Sequence, residues 1–402
     1  MKQLLTVLIA LMFLALQACE GPAGPAGVQG PAGKDGAKGA DAGFVYFEGF
    51  KDSLRCASCH TPDNDTTYYL ISRRVQWEVS KHNDGGNFDR NLEDCAGCHT
   101  TEGFMERASK SFPTAFAGQK TKKYAQSSPP GCFACHSPHK QGNFSVRNNF
   151  APVVIKSNVV GNNDLTFDYG KGNLCVLCHQ TREIANATVF NTSMKPDPTK
   201  TDTIVITTNR WYSHYGVQGE MLSGTGGFHF PGMTLTNSPH TNQPVIKQEG
   251  CTKCHMSAPT GGGTAKGGGH TMNIAYTTES GSAGYVLTGC NTSDCHNGAI
   301  TSSNYKTYSA NNYNLVLERL DTLQALLIQK GLLDATSLLV KLPKKVLNPA
   351  TGKDQSYASI PMQKAGALWN YFFVEHDLSK GIHNSKYALA LLDASIAEMK
   401  KP

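Results

Sequence analysis

Beyond residue 18 this 402-residue chain contains no long hydrophobic run. A membrane-spanning helix needs about 20 predominantly apolar residues, and nothing downstream reads as one. Clustered positive charge is also missing. The formal balance is +6, yet no basic run, recognition helix or aromatic platform marks a nucleic-acid partner. Unaccounted thiols are scarce as well: twelve of the thirteen cysteines fall in six repeated motifs, leaving Cys19 alone.

Five motifs read CxxCH, at Cys56-Cys59-His60, Cys95-Cys98-His99, Cys132-Cys135-His136, Cys175-Cys178-His179 and Cys251-Cys254-His255. The sixth, Cys290-Asn291-Thr292-Ser293-Asp294-Cys295-His296, is stretched by two residues. Two sulfurs followed at once by an imidazole suit covalent haem attachment: the sulfurs form thioethers to the vinyl groups and the histidine reaches the iron from one face. A CxxC pair alone would also serve zinc or a disulfide. Neither gives a purpose to a histidine locked behind every second cysteine, six times over. The expected cofactor is six covalently bound haem c.

The N-terminus reads as a secretion signal over residues 1–18. Lys2 supplies the positive start, Leu4 to Leu16 the apolar stretch, and Leu16-Gln17-Ala18-Cys19 resembles a bacterial lipobox. A plain signal-peptidase site is the competing reading. A lipidated Cys19 would hold the protein on a bilayer without a spanning helix, and Glu20 after it favours the outer membrane over inner-membrane retention. Removing the single cation Lys2 from +6 leaves +5, which haem propionates would bring to roughly neutral or slightly acidic. From Gly21 to Asp41 glycine occupies every third position. That period suits a collagen triple helix and hence a trimer, or a solvated polyproline-like spacer of about 3.1 Å per residue, some 60 Å in all. Residues 19–43 are a stalk on either reading.

Residues 44–300 form the expected haem-binding domain, with motif spacings of 39, 37, 43, 76 and 39 residues between first cysteines and an insertion after the fourth. Strands are expected at Thr203–Thr207 and Pro152–Ile155 from their branched residues. In residues 301–402 the pattern turns helical. Val316, Leu320, Leu323 and Leu327 form one stripe between Asn312 and Lys330, and further helices are expected at Met362–Glu375 and Ser385–Lys400, after a loop containing Pro343 and Pro349. The expected fold is mostly α, with extensive irregular loops and a few short β-strands, organised around stacked haems.

Eight of the fourteen histidines lie outside the motifs. Several sit in segments with a family likeness. Trp77-x-x-Ser80-x-His82 and Asn237-Ser238-x-His240 resemble distal-ligand segments of multihaem c-type cytochromes, and Gly268-Gly269-His270-Thr271 is similar to a segment that follows CxxCH in the same proteins. Gly381-x-His383-Asn384-x-x-Tyr387-Ala388 resembles a helix start of large multihaem cytochromes and their nitrite- and hydroxylamine-converting relatives, in which that histidine is a distal ligand. The resemblance covers about a quarter of the residues and implies a hexahaem c-type cytochrome. Distal ligands are then expected at His82, His139, His214, His240, His270 and His383, with His139 too near its own motif to cap the same iron. His229 and His376 remain as surface, propionate-binding or reserve residues. Met221, Met233 and Met256 are the methionine alternatives, and the assignment of distal histidines to particular haems is left open.

Irons held by two imidazoles tend to low potential and offer substrate no coordination site. The expected function is electron relay at the cell envelope, between other c-type cytochromes or an outer-membrane conduit and an extracellular acceptor, with no catalytic residue. Two alternatives stand beside it. One is a haem enzyme acting on nitrite or hydroxylamine at one open iron, against which no motif reads CxxCK. The other is a subunit of an extracellular cytochrome filament.

Overall fold

In the computed structural model, residues 70–402 are described except 85–86, 111–120, 137–144, 148–149, 260–265 and 310–311. The signal, Cys19, the stalk, the first motif (Cys56, Cys59, His60) and His139 lie outside the described residues. Contacts divide the chain after Tyr46, and every described residue belongs to the second unit, Phe47–Pro402.

Regular structure in the motif region is sparse. Helix α1 (Leu70–Glu78) and α2 (Thr101–Lys110) are followed by a short antiparallel pair, β1 (Val153–Ile155) with β2 (Leu165–Phe167). Strand β3 (Thr203–Ile206) lies in the insertion, ahead of α3 (Gln218–Ser223) and α4 (Pro244–Glu249). A second hairpin pairs β4 (Ala275–Thr277) with β5 (Ala283–Tyr285). Phe104, Val153, Ile155, Phe167, Tyr169, Val176, Leu177 and Ile246 form a small apolar core beneath these elements.

The C-terminal third is regular. Helix α5 (Tyr313–Gln329) starts where Asn312 Oδ1 accepts the amide of Leu315 at 3.0 Å, an N-cap bond, and buries Val316, Leu320, Leu323 and Leu327. Helix α6 (Met362–His376) is buried on nearly every face, and α7 (Ser385–Lys400) packs against both. Between α5 and α6 the chain forms β6 (Lys344–Asn348) and β7 (Lys353–Pro361), where a loop was expected. Pro343 and Pro349 stand just outside the edge strand β6, so neither removes a donor from the ladder. Strand β7 also pairs antiparallel with β3, Thr203 opposite Pro361 and Ile206 opposite Ala358, giving the order β3-β7-β6. The insertion and the C-terminal helices therefore share one large core. Among the described residues no helix is long and apolar enough to cross a membrane.

One buried polar side chain locks this core. Asn370, in the middle of α6, accepts the Phe228 amide at 2.7 Å and donates to the Phe228 carbonyl at 2.9 Å, so the side-chain amide copies a strand partner. Opposite the same backbone, a Cβ on Gly366 would stand 2.3 Å from the Phe228 ring. Helix propensity favours alanine there by about 1 kcal/mol; overpacking costs about 1–3 kcal/mol, and Phe228 is fully buried, with no room to yield. Gly366→Ala should therefore lower the denaturation midpoint, and a rise would show that the ring can move aside.

Candidate haem-ligand array

Each described motif closes the same small turn. The histidine amide donates to the carbonyl of the first cysteine, at 3.2 Å for His99–Cys95, 2.9 Å for His136–Cys132, 3.0 Å for His179–Cys175 and 3.0 Å for His255–Cys251. One helical turn brings both sulfurs and the imidazole to one side. In the stretched motif the His296 amide still reaches the Cys290 carbonyl, at 3.0 Å. The two extra residues loop out and leave the closure unchanged.

These motifs face one cavity of about 2570 Å³. Cys95, Cys98, Cys132, Cys135, Cys175, Cys178, Cys251, Cys254, Cys290 and Cys295 all line it, as do the five motif histidines and His82, His214, His240, His270 and His383. Within it the imidazoles stand in pairs, each joining one motif histidine to one from elsewhere. Ring centroids are 6.2 Å apart for His82–His179, 6.2 Å for His99–His214, 6.3 Å for His136–His270, 6.0 Å for His240–His296 and 6.2 Å for His255–His383. A metal–imidazole bond is about 2.0–2.1 Å and a ring nitrogen lies about 1.1 Å from its centroid. Two imidazoles on opposite sides of one metal thus have centroids about 6.2–6.4 Å apart. Among the described residues no group of three or more His, Cys, Asp or Glu side chains converges as a tetrahedral zinc site requires.

Eight of the ten rings are held in the neutral state that coordinates metal. Burial holds His82, His214, His255 and His270 down to about 4 and also lowers His99, His179, His240 and His296, leaving them neutral at pH 7. His383 differs: burial pushes it down, but the charge and hydrogen bond of Asp377 outweigh this and raise it. Arg90, Arg107, Arg182, Lys171 and Lys195 also line the cavity, offering cations to propionates. The donor set, spacing and charge fit haem c.

The flanking residues of the distal segments have visible duties. The Trp77 indole donates to the Pro130 carbonyl at 2.9 Å, and the Ser80 hydroxyl returns to the Trp77 carbonyl at 2.6 Å, which turns His82 inward. His270 follows Gly269 (φ +52°), where a Cβ would meet Gln76 Oε1 at 2.5 Å; that oxygen accepts the His270 amide at 3.0 Å. The segments carrying His240 and His383 are clipped together. Asn384 donates to Asn237 Oδ1 at 2.8 Å and to Thr241 Oγ1 at 3.0 Å, accepts the Ser238 amide at 2.9 Å, and also caps α7.

Beyond these, four imidazoles are steered through Nδ1. His179 meets Gln218 Oε1 at 3.1 Å, His240 the Ile382 carbonyl at 2.8 Å, His255 the Met272 carbonyl at 2.9 Å, and His383 the Asp377 carboxylate at 2.6 Å. Gln218 and Asp377 gave no sign in the sequence, since each acts on a ring distant in the chain or across a turn. Two expectations change. His376 is only 5% exposed, walled by Tyr212, Tyr215 and Phe372, and His229 is half-buried against the Tyr387 hydroxyl at 2.7 Å, so neither is a surface residue. Met221 is sealed in the large core and Met233 packs beside it, away from the cavity; Met256 does line the cavity.

Neighbouring motifs lie side by side at their thiols. Cys98 sits near enough to Cys178, Cys175 to Cys251, and Cys254 to Cys290 for each to influence the other electrostatically. The motifs therefore run in the order 95, 175, 251, 290 by first cysteine. Cys135 lies close enough to Cys175 and Cys178 to feel both, which sets the 132 motif beside the second member. Glycine makes the approach feasible: a Cβ on Gly172 would stand 2.9 Å from the Cys251 nitrogen, and one on Gly250 would stand 2.7 Å from the Gly172 Cα.

No known protein family and no curated protein matches the chain. Among solved structures, that of the outer cell wall cytochrome OcwA is similar over 82% of this chain, at 18% identity and a TM-score of 0.43. The chain spans about half the length of that protein, the matched share being 50%.

One buried acid lies behind this array. Glu220 is 3% exposed, accepts the Thr181 amide at 3.1 Å and the Thr181 hydroxyl, and is pushed up to about 7 by burial, against the pull of those hydrogen bonds. The folded chain thus holds this proton more tightly than the unfolded chain does. Stability is highest below the ordinary carboxylate value and falls as pH rises towards 7, by on the order of 3 kcal/mol. In denaturant titrations from pH 5 to 8, Glu220→Gln should lose less stability than the parent; parallel pH profiles would refute the assignment.

Proposed function

We propose that the chain is a hexahaem c-type cytochrome that relays electrons at the cell envelope. The observation that carries this reading is the set of five facing imidazole pairs, 6.0–6.3 Å between centroids, each with one motif histidine and all in the cavity that gathers the described motif cysteines. Bound there, haem c supplies one-electron Fe(III)/Fe(II) chemistry. The paired histidines would hold the iron through two imidazoles, which favours transfer over catalysis. The cysteines would tether each haem through thioethers, and the neighbouring motifs would bring successive carriers close together. His60 and His139, outside the described residues, are proposed as further haem ligands.

In this reading Cys19 is lipidated and residues 19–43 hold the cytochrome off the outer membrane. Electrons would pass between other c-type cytochromes, or an outer-membrane conduit, and an acceptor outside the cell. The enzyme alternative needs an open iron; each of the five described motif histidines has a facing partner.

Expression in a host that matures c-type haems tests this directly. Mass spectrometry should give six haem increments, and carbon monoxide should leave the dithionite-reduced spectrum unchanged. A shift in about one sixth of the signal would reveal an open iron and put the enzyme reading first. Electron paramagnetic resonance should resolve two low-spin classes. Imidazole planes near perpendicular, at 74°, 73° and 89° for the His82, His99 and His240 pairs, leave the iron dxz and dyz orbitals almost degenerate; the 27° of His136–His270 splits them.

A further inference from the structure

The Nδ1 partners of the ligand imidazoles are not equivalent. His179, His240 and His255 meet neutral amide or carbonyl oxygens, whereas His383 meets a carboxylate, Asp377, at 2.6 Å. A charge at Asp377 costs stability. Its side chain is fully buried, and it caps the C-terminal end of α6, where the helix dipole is negative. The Ser379 hydroxyl donates to its other oxygen, and the Ser379 Oγ in turn accepts the His383 amide at 3.2 Å. A costly anion is therefore built in, held by two donors and aimed at one ligand.

We infer that Asp377 is a positioning residue that makes the iron site of His255 and His383 the lowest-potential member of the array, and places that low point inside the row. This rests on the proposed haem ligation. A carboxylate on Nδ1 draws the shared proton towards itself and gives His383 imidazolate character, making it a more basic ligand. A more basic ligand and a nearby buried negative charge both stabilise Fe(III) over Fe(II). Position follows from the packing of the motifs: the 251 motif lies against the segment of the 175 motif at Gly172 and against the segment of the 290 motif at Gly289, with Cys251 near Cys175 and Cys254 near Cys290. With haem bound, each transfer would move one electron from a ferrous neighbour to the ferric site; no bond would break, and the Nδ1 proton would stay between His383 and Asp377. Electrons crossing the row in either direction meet one uphill step at this site.

Spectroelectrochemical titration of the holoprotein tests this without any turnover assay. Asp377→Asn keeps the shape and removes the charge. The lowest-potential step should rise by a factor of about ten in its reduction equilibrium, equivalent to about 59 mV for one electron, with haem content and low-spin spectra unchanged; Asp377→Glu should stay near the parent. Ser379→Ala frees the carboxylate of a donor and should shift the same step downward, which gives an answer even if Asp377→Asn loses haem. Intact six-coordinate haems whose lowest step moves in neither variant would overturn the role of Asp377 and leave the relay standing. A parent protein lacking low-spin bis-histidine signals would overturn both.

Discussion

Ten imidazoles face one another in five pairs around one cavity, and each pair separates its rings by about the distance that one metal between them would set. Desolvation keeps eight of these rings neutral, the state in which an imidazole coordinates metal. Much of the remaining structure serves to keep them facing. Single turns carry one ring of each pair, and loops and helix starts from distant parts of the chain carry the other. This explains how a chain that is only 39% hydrophobic can organise long irregular stretches: in the proposed holoprotein, macrocycles between the pairs supply apolar surface that side chains do not.

The C-terminal helices show how this array is supported from outside. Helix α6 is buried almost all round, grips Phe228 through Asn370, and ends at the carboxylate that holds His383. Helix α7 begins at Asn384, whose amide ties the His240 and His383 segments together. The helices thus bring two distal ligands to the cavity, and their own core is shared with the insertion through the β3–β7 pairing. Without these helices His255 would lose the imidazole it faces, and His240 would lose the Ile382 carbonyl that orients it towards His296.

The parts of this design that are local in the chain were legible in the sequence. The apolar stripe of α5, the bounds of α7 and the strand at Thr203 follow from periodicity and branched residues, and the Cys-Cys-His runs carry their chemistry in their spacing. Segments such as Gly381–Ala388 could be read because each residue has a fixed local duty: Gly381 takes φ +88°, Asn384 caps, and the buried Tyr387 hydroxyl bonds Gly227 and His229. What depends on tertiary contact was not legible. The partner of each motif histidine, the steering by Gln218 and Asp377, and the β6–β7 hairpin join residues whose sequence separation follows no rule, and prolines at both ends of β6 imitate a loop.

The close approach of Gly172 to Gly250 fixes how near two motif backbones come, and with them the Cys175 and Cys251 sulfurs. Electron tunnelling falls off exponentially with the gap between carriers. In the proposed relay the speed of that step is therefore set by hydrogen atoms standing where other residues would carry a methyl group, and the smallest possible side chain becomes a kinetic determinant although it has no redox chemistry of its own.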